Sequence, residues 1–155
     1  MRPRSLIPAR VGTLSPLTDW STTWTLARTR GLGSDLTAIL FKILHQLLPT
    51  QDRVYRLTRN QTQNTGLCQL CHAEVEDQKH AFFSCPYSST AGSELLEYVH
   101  EVLPDLSPEA ALRLEFSQEL SEEEQLATVC LLTTGLRYIW SARVEKKPAI
   151  LYRMT

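Results

Sequence analysis

Apolar residues recur at helical spacing in several stretches of this chain, with prolines, glycines and polar runs between them. Leu36, Ile39, Leu40, Ile43, Leu44 and Leu47 fall three or four apart and share one helical face. Ser34-Asp35 supplies a start signal for that helix and Pro49 a stop. Thr50 and Asp52 offer a second cap, for a short helix through Val54, Tyr55 and Leu57 that ends before Asn60. A polar loop follows to Gly66. Leu95, Leu96, Val99 and Leu103 define a third helix, capped by Ser88 or Ser89 and closed by Pro104. Ser107-Pro108-Glu109 opens a short fourth, with proline at the first helical position. Ser121-Glu-Glu-Glu124 is a capping box. It launches the longest helix, which gathers Leu126, Val129, Cys130, Leu132, Thr133, Leu136, Ile139 and Trp140 on one broad face, with Pro148 past its end. Nothing reads as a strand apart from room for one short hairpin around the cysteines, and no internal repeat is visible.

Residues 1–33 break the pattern. They carry Pro3, Pro8, Pro16, Gly12, Gly31 and Gly33, and read as a disordered or loosely docked basic tail. Trp20 and Trp24, four apart, are its one sticky helical face. The expected organisation is therefore a flexible tail over 1–33 and one helical domain over 34–155, since 155 residues are ample for one core and short for two.

Chemistry enters at residues 67–87. Cys68-Gln-Leu-Cys71 is followed by His80 and Cys85, so three of the four cysteines lie with His80 within eighteen residues. A Cys-x-x-Cys turn aims two thiolates at one point, and a second pair closes the tetrahedron that zinc prefers. His80 and Cys85 are five apart, and one helical turn or a tight loop brings both to one side. The fold expected is thus mainly α: a small helical domain built around a Cys3His zinc knuckle. Four protein ligands leave no open coordination position, so the Zn2+ is read as structural.

Rival readings of the same residues exist. Cys68-Gln-Leu-Cys71-His72 also matches a c-type haem attachment sequence. That reading needs an export route or a dedicated compartment and leaves His80 and Cys85 without a role. A thioredoxin-like redox pair wants a βαβ context that the pattern lacks. Buried cysteines also serve as small hydrophobes, which is how Cys130 reads on the last helix. His72 competes with His80 as fourth ligand, but it directly follows Cys71 and must fold back onto the metal. His45 and His100 fall on predicted helices and read as ordinary satisfied or exposed side chains.

The net charge of −1 hides an asymmetry. Residues 1–65 hold nine Lys/Arg against three acids, whereas residues 66–155 hold seven against fourteen. The basic front half suits phosphate contacts, with Lys42, Arg53, Arg56 and Arg59 as candidates. Arg53, Arg56 and Arg59 repeat at three-residue spacing, near one face of the second helix. No apolar run reaches the length of a membrane helix, and the basic start lacks the apolar core of a secretory signal. The expected setting is intracellular, in cytoplasm or nucleus, where clustered cysteines read as metal ligands rather than disulfides. Asn60-Gln-Thr62 matches a glycosylation site that such a compartment would not use.

Leu67-Cys-Gln-Leu-Cys71 with Glu76-Asp-Gln-Lys-His80-Ala-Phe82-Phe83-Ser-Cys85-Pro86 resembles the zinc-binding domain that follows the reverse transcriptase in non-LTR retrotransposons. Phe41-Lys-Ile-Leu-His45-Gln-Leu-Leu-Pro49-Thr50-Gln-Asp52-Arg53 is similar to that family's lead-in, and Ile139-Trp140-Ser-Ala-Arg143 to the Trp-x-Ala-Arg that commonly closes it. Gln69 replaces the usual proline, and Lys79 stands where an acid is common. The resemblance implies Cys68, Cys71, His80 and Cys85 as ligands, and template RNA or DNA as the partner. The paired aspartates of a polymerase active site are not found, which implies a fragment or domesticated relative without polymerase activity. A nuclease-like pattern, Pro104-Asp105 with Glu145-Lys146-Lys147, has the residue types of a Mg2+-dependent site but reads more simply as a helix stop and a solvated helix end. The function expected is a non-catalytic, zinc-stabilised nucleic-acid-binding module with no membrane and no small-molecule substrate. A protein-interaction module is the alternative, and a remnant nuclease a weaker one.

Overall fold

Ser34–Leu44 forms helix α1, Gln51–Thr58 α2, Ser89–His100 α3, Pro108–Arg113 α4 and Glu122–Val144 α5. These come from a computed structural model of the chain, which describes Thr25, residues 32–58, 65–116, 119–146 and Ala149. Trp20, Trp24, Arg59, Asn60, Thr62 and Lys147 lie outside the described residues, as does nearly all of the expected tail. The fold is mainly helical, with a Cys3His cluster held between the helices. Among the described residues, no helix is long and apolar enough to cross a membrane.

The capping signals act as their chemistry dictates. Ser121 Oγ accepts from the Glu124 N–H while Glu124 Oε2 accepts from the Ser121 N–H, a complete capping box. Ser107 Oγ accepts from the Ala110 N–H, with Pro108 at the first helical position. Helix α1 departs from expectation at both ends. Gly33, with φ 81°, sits at its N-cap in place of Ser34, a backbone angle that only glycine adopts without strain. The helix stops at Leu44, not Leu47. Gln46 turns left-handed (φ 53°), its N–H reaches the Ile43 carbonyl, and the Leu47 N–H reaches the Lys42 carbonyl. That pair of bonds is a complete Schellman stop, three residues before Pro49 acts.

The core assembles on α5. Val129, Leu132, Leu136 and Ile139 are fully buried along it, and α1 and α3 both pack there. Leu40, Ile43 and Leu44 of α1 and Leu95, Leu96 and Val99 of α3 complete the main cluster. Phe82 and Phe83 join it from the segment between the cysteines, which ties the knuckle to the helical body. Cys130 packs half-buried against this core. Helix α2 buries no residue of its own, and its first turn is anchored by Glu76.

Candidate metal centre

Two local structures bring the cysteine segment to a point. The first is a single antiparallel bridge between Leu67 and Val75, the short hairpin for which the sequence leaves room. The Cys68 N–H bonds the Glu74 carbonyl and the Glu76 N–H bonds the Gly66 carbonyl, so the chain folds back around Cys68–Cys71. The Leu70 N–H also points at Cys68 Sγ, 3.4 Å away. The second is a π-helical turn over His80–Ser84. Its defining bond runs from the Cys85 N–H to the His80 carbonyl, five residues back. An i→i+5 turn is the helical geometry that places residues five apart in register, so His80 and Cys85 arrive on one side. Asp77 Oδ1 accepts from the His80 N–H at 2.7 Å and fixes the entry to the turn.

The widened turn has a cost that Ser88 offsets. The Ala81 carbonyl has no α-helical donor, because the Cys85 N–H is committed to His80, and its π-helical donor position is Pro86, which has no N–H. The Ser88 hydroxyl donates to it instead at 2.7 Å, fully buried. Ser88 therefore stands at the start of α3 without using its side chain as a cap, contrary to the sequence expectation.

The four donors converge. One ligand atom from each of Cys68, Cys71, His80 and Cys85 lies within 4.8 Å of the other three. Cys68 Sγ and Cys85 Sγ are 3.9 Å apart, and Cys71 Sγ is 3.4 Å from His80 Nε2. A tetrahedron with Zn–S near 2.3 Å and Zn–N near 2.0 Å has edges of about 3.5–3.8 Å. The donor set therefore fits zinc in type and in spacing. Cys68, His80 and Cys85 are buried and Cys71 is half-buried. His72 is not in the group. It is exposed, in the left-handed region at φ 58°, at the tip of the hairpin. Neither Cys68 nor Cys71 lines the cleft around Arg53 and Arg56 or the one around Trp140 and Arg143.

The surroundings of the cluster are polar and specific. His80 Nδ1 lies 3.3 Å from Glu74 Oε2, within ion-pair range but off the line of a hydrogen bond. A carboxylate there is the usual outer partner of a metal-bound imidazole. Arg143 of α5 donates from Nη2 to Cys68 Sγ at 3.1 Å and, in a very short contact, to Glu76 Oε2. Both partners of this ion pair are buried. The second oxygen, Glu76 Oε1, accepts from the Gln51 N–H at 2.9 Å, and the Glu76 carbonyl accepts from the Asp52 N–H. One acidic residue thus satisfies the two leading N–H groups of α2 and neutralises the arginine beside the cysteines.

This environment sets the thiol acidities. Burial pushes the Cys68 thiol up, but the N–H groups of Cys71 and Leu70, then Arg143 and His80, carry it below its ordinary value. Cys71 follows the same course, with the N–H groups of Ala73 and Glu74 outweighing burial. At Cys85 burial prevails and the thiol is raised, although Arg143 opposes it. Burial alone would depress the Arg143 guanidinium, but Cys85, Glu76 and Cys68 together raise it further, so it stays charged.

The basic candidates fall unevenly. Arg53 and Arg56 line one open cleft of about 310 Å3 with Lys79 and Arg113, while Lys42 is exposed on α1 and does not line it. Asp52, Asp77 and Glu109 share the cleft. Arg56 pairs with Asp52 at 3.0 Å, Lys79 pairs with Glu109, and Arg53 Nε donates to the Gln46 carbonyl at 3.3 Å. Among the described residues, Asp105 and Glu145 join no group of three or more metal-capable side chains. In the sequence, Glu76 and Arg143 stand out only as members of the family-like motifs. Their position inside the family-like motifs was the signal available, and their pairing across 67 residues was not legible.

The family model described as zinc-binding in reverse transcriptase matches residues 15–91, a segment that contains all four clustered residues. No curated protein and no solved structure gives a significant match. The match and the Cys3His cluster agree on the same residues: over residues 15–91 the chain carries a reverse-transcriptase-associated zinc-binding domain.

Proposed function

We propose that this chain is a non-catalytic module in which Cys68, Cys71, His80 and Cys85 hold one structural zinc, and that the module binds single-stranded nucleic acid. The carrying observation is the mutual spacing of the four donors, within 4.8 Å of one another and closed by protein on all four positions. When bound, the metal joins the hairpin to the π-helical turn and contributes folding free energy directly. Three thiolates and a neutral imidazole around Zn2+ carry a net charge of −1, and Arg143 places a positive charge, shared with Glu76, beside it. A saturated tetrahedron offers no site for water or substrate, so the chemistry supported is binding.

Nucleic acid is favoured by the cleft beside the knuckle, which holds Arg53, Arg56, Lys79 and Arg113 against three acids. Tyr55, 43% exposed on the same helix, supplies a ring on which a base can stack. The exposed apolar side chains of Leu57 and Val75 favour the second reading, a protein partner. Filter binding of single-stranded RNA across a salt series separates them. Wild type should bind at low salt, and Arg53→Ala/Arg56→Ala/Arg59→Ala should weaken binding and flatten the salt slope by about one unit per lost phosphate contact. No binding by wild type at low salt would end the nucleic-acid reading.

A further inference from the structure

Arg143 lies beyond the family-matched segment, near the end of α5, yet it is buried against the cysteines. A buried arginine requires acceptors, because an unpaired charge away from water is costly. Nη2 has two, Cys68 Sγ and Glu76 Oε2. Nη1 is buried and has no acceptor among the described residues. A Cys3His zinc site is itself an anion, so Arg143 would stand between two negative groups, the centre and Glu76.

We propose that Arg143 is the outer-sphere positioning residue of this metal centre: it donates to the Cys68 sulfur, leans on Glu76, and couples metal occupancy to the docking of α5. The inference rests on the zinc reading above and adds a residue that the matched segment does not contain. It makes the centre a three-way joint. The knuckle gives the sulfurs, α5 gives the cation, and Glu76 connects that cation to the start of α2. Removing an outer-sphere partner of this kind typically weakens metal binding 10–100-fold.

The test uses the full chain loaded with zinc, and in parallel with cobalt(II), whose thiolate charge-transfer band reports hydrogen bonding to sulfur. Zinc release to a chromogenic chelator is timed for wild type, Arg143→Gln, Arg143→Lys and Arg137→Gln, the last an exposed arginine on the same helix. Release from Arg143→Gln should be at least about tenfold faster. Its cobalt band should move to longer wavelength, because an undonated thiolate is easier to oxidise. Arg143→Lys, which keeps the charge but loses the fork, should fall between, and Arg137→Gln should match wild type. If Arg143→Gln does not fold, Arg143→Lys carries the test, and wild-type release with an unmoved band overturns the proposal. A wild-type chain that takes up neither metal overturns the zinc reading itself, an outcome distinct from a metal-loaded protein indifferent to Arg143.

Discussion

Gly92 offers a test in which two physical effects predict opposite signs. It lies in α3, against the π-helical turn that carries His80. A Cβ added there would stand 2.4 Å from the Phe82 carbonyl oxygen, 2.8 Å from Phe83 Cδ1 and 3.2 Å from Phe83 Cα. Two of these three atoms are backbone, in a turn pinned by the Cys85–His80 bond, and cannot rotate aside. Helix propensity alone makes Gly92→Ala stabilising by about 1 kcal/mol. Overpacking against a fixed backbone costs about 1–3 kcal/mol, here at the upper end. The net expectation is a loss of about 1–2 kcal/mol, or a Tm lower by about 5 °C for a chain of this size. Because the shift falls on the His80 turn, zinc retention should fall with it. Gly135→Ala is the matched control. Its Cβ would meet only the Leu95 Cδ atoms at 2.6 and 2.7 Å and Cγ at 3.1 Å, a flexible side chain that can repack. It should be close to neutral in thermal unfolding. A Gly92→Ala protein more stable than wild type, or as tolerant as Gly135→Ala, would refute the close-packing argument.

Two further outcomes follow from the geometry. His80→Ala should surrender zinc at chelator concentrations that leave His72→Ala loaded, because His80 Nε2 sits in the cluster and His72 is outside it; the reverse order would mean the fourth ligand is wrongly drawn. Ser121→Ala removes half of the capping box on α5 and should cost about 1 kcal/mol in denaturant unfolding with an unchanged m-value, and no measurable loss would show that α5 is held by packing alone.

What was legible in the sequence is what local rules govern. Ser107 and Ser121 cap because a hydroxyl at that place meets an N–H three residues on, whatever surrounds it. The four-residue cluster is legible because thiol and imidazole at those spacings have few other uses. The end of α1 was not, because a Schellman stop on Gln46 carries none of the glycine that usually announces it. Ser88 misled for a tertiary reason: its hydroxyl answers a carbonyl stranded by Pro86, seven residues from that carbonyl in the chain. The π-helical turn is implicit in the five-residue spacing of His80 and Cys85, but an ordinary loop satisfies the same spacing. The charged trio of Glu76, Arg143 and Cys68 depends on α5 crossing the knuckle, and no local pattern encodes a crossing. Arg53 and Arg56 share a helix as their spacing predicts, yet their bonds to Gln46 and Asp52 are a product of the fold.

The central claim is that Cys68, Cys71, His80 and Cys85 hold one metal ion. Elemental analysis of the purified full chain beside its Cys85→Ser variant tests it most directly. The expected result is one zinc per wild-type chain and clearly less in Cys85→Ser. Equal zinc content in the two proteins, or none in wild type after refolding with zinc, would contradict it.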